Sequence, residues 1–125
     1  MIPILVVTLL SFQPQGGLEG EWVVEIVNNI KVMPESLVTI TFGGTGVNGQ
    51  SSCNSYTGTY RTTAGGIKFE SILTTMRACD DARMSQERDF LGLLREVTSY
   101  EIGPSGALLL KTGAGKTISA RRRAK

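Results

Sequence analysis

No histidine occurs anywhere in this chain of 125 residues, and cysteine appears only twice. The first absence removes every Ser-His and Cys-His mechanism together with the commonest zinc ligand. Two thiols are too few for a four-thiolate metal site, so no metal or cofactor is expected. Charge of one sign is also scarce: Lys plus Arg is 13 and Asp plus Glu is 11, a net of +2. Arg121, Arg122, Arg123 and Lys125 crowd the last five residues, and without these four the body stands at −2. That excludes a basic nucleic-acid surface, because the tail has no interleaved aromatics. It reads as a solvated tail that ends the last strand.

Long apolar runs are missing too. The longest, Ile2 to Leu10, is shorter than the roughly 20 residues that span a bilayer. Its length suits the apolar core of a secretory signal, followed by polar Gln-Pro-Gln-Gly-Gly. No Lys or Arg precedes the run, no small-x-small cleavage site is clear, and no Cys follows it to carry a lipid. The competing reading is an N-terminal strand built on Ile4, Val6 and Val7. We take 1–18 as a signal or apolar leader and 19–125 as the folded domain, with export to the periplasm or envelope.

What is present reads as one small β-rich domain. Hydrophobic residues at 41% and charged residues at 19% are globular values, and the 15 glycines cluster as turn signals. In Glu19–Val27, Trp22, Val24 and Ile26 alternate with Val23, Glu25 and Val27. Asn28–Ser36 reads as a connecting loop, since Pro34 excludes a central strand. Val38, Ile40 and Phe42 then share one face. Asn48-Gly49 is a hairpin-turn signal, and Gly58 between Tyr56 and Tyr60 suggests a bulge or close backbone approach. One helix is predicted to begin near Ser85, with Phe90, Leu91, Leu94 and Val97 as its apolar stripe. That stripe either closes the core or lines a hydrophobic cleft between helix and sheet. Strands over Tyr100–Ile102, Ala107–Lys111 and Thr117–Arg123 follow, joined by hairpins.

Several segments invite a chemical reading. Thr112–Thr117 (TGAGKT) carries Leu110 where a phosphate loop needs its first Gly, and no helix can follow, so it is a hairpin turn. Asp80, Asp81, Glu87 and Asp89 form an acidic group without calcium-loop spacing, and acids are favoured near a helix start anyway. Cys53 and Cys79 are the one pair available. Export favours a disulfide between them, stabilising by roughly 3–4 kcal/mol in the chain-entropy model. In the cytosol they would be two buried thiols.

The richest stretch is Ser51–Tyr60, SSCNSYTGTY. Taken with GEWVVEIV before it, and TTMRAC, ERDFLGLL, SYEI and ALLL after it, the chain resembles the META domain family, which includes HslJ-like proteins. Ser52 stands where the family usually carries Gly, and the Met76-Arg77 order is less common. The resemblance implies a mainly β fold, a small antiparallel barrel-like sheet with one packed helix. It also implies an exported, envelope- or stress-associated protein without established catalytic residues, similar in fold to lipid-binding pilot proteins. The expected function is therefore a non-catalytic envelope interaction module. The alternative is a carrier of a lipid or other hydrophobic small molecule, associating with membranes without a transmembrane helix. Asn54 and Tyr56 are expected to be exposed as a recognition surface; equally, Asn54 could hold a turn while Tyr56 and Tyr60 plug the barrel.

Overall fold

The computed structural model describes residues 17–123, so the apolar leader, apart from Gly17 and a buried Leu18, lies outside the described residues. Strand β1 (Gly20–Val27) buries Trp22 and Val24 by period two. A register shift between Val24 and Ile26 against the last strand then breaks the alternation. Val27 therefore turns inward and Ile26 is only half-buried, the reverse of the regular pattern.

Asn28 and Asn29 both take positive φ, 49° and 70°, and close a two-residue turn of the I′ type. The expected loop thus contains a short strand, β2 (Ile30–Lys31), paired back onto β1. Strands β3 (Thr39–Gly43) and β4 (Gly46–Gln50) follow, joined by Gly44-Thr45 with Gly44 at φ 62°. The hairpin turn is therefore not at Asn48-Gly49, which lies inside β4 opposite Thr57 and Tyr56. Gly49 serves closeness instead: a Cβ there would lie 2.1 Å from the Thr39 carbonyl oxygen.

Strands β5 (Ser55–Thr62) and β6 (Ile67–Thr74) pair with a register shift at Gly58, where a Cβ would meet Ile72 Cδ1 at 2.6 Å. Helix α1 (Asp81–Glu96) comes next, then β7 (Val97–Ile102), β8 (Leu108–Thr112) and β9 (Thr117–Arg122). The helix starts four residues before the predicted Ser85. Asp80 is the cap, accepting from Arg83 N at 3.3 Å. Its first turn lacks apolar periodicity, so the pattern became visible only downstream.

The strands run β6-β5-β4-β3-β1-β9-β8-β7 in one antiparallel sheet. Its two ends meet at the Gly66–Ser99 bridge, supported by Tyr100 N donating to Gly65 O at 3.3 Å. The result is a nearly closed barrel with α1 against it. Phe90, Leu94 and Val97 are 0–1% exposed and Leu91 is 7% exposed within the core. The stripe closes the core, and it lines none of the described cavities.

The arginine run is not a loose tail. Arg121 pairs with Glu25 and Arg123 with Glu21, both at 3.2 Å. Arg122 stacks 4.3 Å above the Trp22 ring and donates to the carbonyls of Glu19 and Gly17. Such half-exposed pairs add little individually, but they seat β9 on β1.

Gly49→Ala is expected to lower the urea midpoint, at the upper end of about 1–3 kcal/mol, because backbone must shift. An unchanged midpoint would show that β4 can move off Thr39 freely.

Candidate functional site

Two features gather around α1: a polar fastening point and a groove. The fastening point is built on Glu87, only 7% exposed. Its Oε1 accepts from Ser51 Oγ at 2.7 Å, Asn54 N at 2.7 Å and Cys53 N at 3.1 Å. Its Oε2 accepts from Asn54 Nδ2 at 2.7 Å. Burial pushes this carboxyl up, but the bonds from Asn54, Ser51 and the two amides outweigh it and hold the group below its ordinary 4.5.

Asn54 is not exposed as expected; it is 3% exposed. Its Oδ1 accepts from Thr75 Oγ1 and Arg77 N, both at 2.7 Å, and its amide also reaches Arg77 O at 3.2 Å. Asn54 therefore holds backbone, the other of the two roles open to it. The sulfurs of Cys53 and Cys79 lie at bonding distance, 2.05 Å, with Cα atoms 6.0 Å apart. They tie the same two segments.

Tyr56 is likewise buried at 2% exposure, with its hydroxyl donating to Thr39 O at 2.8 Å. Burial pushes its phenol far above the ordinary range. Tyr60 is half-buried, edge-on to Phe42 at 4.9 Å, and is raised by burial and then by Glu19 and Tyr100. Of the four acids, only Glu87 enters this network. Asp80 caps α1, while Asp81 and Asp89 are exposed. No metal-holding group occurs among the described residues. Ser51 Oγ has a carboxylate beside it, but its 0% exposure bars a substrate from reaching it.

Ser52 takes φ 105°, a backbone that favours glycine. Its hydroxyl pairs with Ser36 Oγ and accepts from Gln86 Nε2 at 3.1 Å. Gln86 also accepts from Met33 N at 2.8 Å and donates to Ser36 O at 3.2 Å. Residues 33–36 are thereby latched to α1. This latch frames the groove.

A cavity of about 200 Å³ lies between the β1–β2 hairpin and α1, with Val27, Ile30, Val32, Met33 and Ala82 in its walls. A second of about 290 Å³ adjoins it, sharing Val27, Ile30 and Asp89 and adding Arg88, Glu96 and Lys116. Ile30, 65% exposed, lines both. Sequence reasoning missed this groove because its walls are distant in the chain. The apolar Ile30 beside a turn-forming Asn-Asn pair was the one available signal.

The META domain model matches residues 15–125. The chain belongs to the META domain family. Solved structures with low sequence identity share the fold of this META domain. An NMR structure of a protein from Burkholderia xenovorans is 20% identical at a TM-score of 0.71, covering 94% of this chain and 96% of that one. A crystal structure of a DUF4847 family protein from Bacteroides vulgatus is 17% identical at a TM-score of 0.64, covering 86% and 95%. No curated protein matches the chain.

Because Glu87 sits below 4.5 when folded, the stability it confers is complete above 4.5 and is lost as pH falls through the lower folded value. Urea midpoints measured from neutral pH downward should fall more steeply for the native chain than for Glu87→Gln. At neutral pH, Glu87→Ala should cost about 3 kcal/mol, since it strands several buried donors. Parallel pH curves would refute this role for Glu87.

Proposed function

We propose that this META domain is a non-catalytic binding module, exported and associated with the cell envelope. The groove between α1 and the β1–β2 hairpin is its ligand-facing feature. One observation carries this reading: two adjoining cavities, of about 200 and 290 Å³, meet beneath an exposed Ile30. The non-catalytic part draws support from Glu87, whose lone pairs are committed to fixed donors. Export draws support from the apolar leader in the sequence and the Cys53–Cys79 bridge. A role under envelope stress rests on the family resemblance.

A second reading has a specific basis. The inner cavity is walled by Val27, Val32 and Met33, which favours a hydrophobic small molecule or lipid chain over a purely polar ligand. The site differs from the predicted stripe, because Phe90, Leu91, Leu94 and Val97 face the core.

Native mass spectrometry of the chain purified from an envelope fraction should show a bound small molecule, lost in Ile30→Asp. Bare protein in both samples would count against the groove. Alkylation without reductant should leave both cysteines unlabelled in exported protein, and two labelled thiols would count against export through an oxidising compartment.

A further inference from the structure

Among the described residues some surface charges form ion pairs and others do not, and the latter include the charged lining of one cavity. Five ion pairs cover the barrel and the helix start, joining Arg61–Glu70, Arg83–Asp80, Lys111–Glu101, Arg121–Glu25 and Arg123–Glu21. Arg88, Lys116, Asp89 and Glu96 take part in none of them, although all four line the outer cavity. They come from separate elements, since α1 supplies three and the β8–β9 turn supplies Lys116. Two cations and two anions thus surround one space of about 290 Å³ without neutralising each other at close range.

The inner cavity has a different character. Its walls are chiefly apolar, with Val27, Ile30, Val32, Met33 and Ala82, and Lys31, Ser85, Gln86 and Asp89 complete the lining. At about 200 Å³ it is smaller than the ~300 Å³ at which drug-sized pockets begin, so it suits one chain rather than a whole bilayer lipid. Gly92 leaves α1 bare where it lines the outer cavity, and a Cβ there would touch nothing within 4 Å.

We propose that the groove takes a single-chain amphiphile with a zwitterionic head, the chain in the inner cavity and the head among Arg88, Lys116, Asp89 and Glu96. This rests on the groove being the binding site. A purely anionic head would face Asp89 and Glu96, and a purely cationic one Arg88 and Lys116, whereas a zwitterion meets both signs with opposite charge. The anionic half is either a phosphate or a carboxylate, with an ammonium as the cationic half.

The test is calorimetric titration of the purified chain with five dodecyl probes, each below its micelle-forming concentration. They are dodecylphosphocholine, dodecyl betaine, dodecanoate, dodecyltrimethylammonium and dodecanol. The two zwitterions should bind about three- to tenfold more tightly than the singly charged probes, as expected for exposed charge pairs. Comparison of phosphocholine with betaine then assigns the anionic half. Arg88→Glu combined with Lys116→Glu should shift the preference to dodecyltrimethylammonium, and Gly92→Leu, which has room to fold, should weaken every probe. Equal affinities for all five, or dodecanoate tightest, would overturn the head-group assignment and leave the groove standing. No binding of any probe, or binding indifferent to both Gly92→Leu and Ile30→Asp, would overturn the groove itself.

Discussion

A buried carboxylate that forms no salt bridge among the described residues organises this domain. Glu87 leaves water at a cost that only dense hydrogen bonding can offset, and it gains donors from Ser51, Cys53 and Asn54. Those donors come from the loop between β4 and β5, so the charge fixes where α1 sits against the barrel. Asn54 extends the same network to Thr75 and Arg77, and the Cys53–Cys79 bridge binds the same segments covalently. Once α1 is held there, Phe90 and Leu94 fall into the core.

The groove follows from that placement. One turn of α1 carries Glu87 inward and Gln86 sideways, where it latches Met33 and Ser36. The segment that follows the β1–β2 hairpin is thereby held to the helix, with the inner cavity lined from both sides. A bulge in β1 turns Val27 toward the core side, and the Asn28-Asn29 turn brings Ile30 back over the helix. Stability and the candidate binding site thus depend on neighbouring residues of one helical turn. Substitutions at Glu87 and Gln86 act on different things: the first on the fold, the second on the groove wall.

Much of the fold was legible in the chain. Period-two alternation gave Val38, Ile40 and Phe42 their inward face, and Gly58 marked a real close approach. The turns at Pro104–Gly106 and Gly113–Gly115 are where local chemistry put them. Two readings failed because tertiary contacts override local signals, and a third for want of a local signal. Asn48-Gly49 is a turn signal absorbed into β4 because Thr39 needs a residue without Cβ opposite it. Asn54 and Tyr56 are polar enough to sit outside, yet each has buried partners supplied by distant segments. The early start of α1 was hidden because its first turns carry few apolar residues.

Composition and motif order alone determined the class of this protein: one small β-rich META domain, a single cysteine pair, and no histidine-dependent chemistry. Those properties depend on residue type and local spacing, which a linear chain carries fully. Only the tertiary structure decided that Glu87 anchors the loop, that the arginine run seats on β1, and that the groove lies on the hairpin side of α1. Each joins residues far apart in the chain, and neither side alone signals its partner. Burial sets the meaning of a polar side chain, and burial is a property of the folded whole.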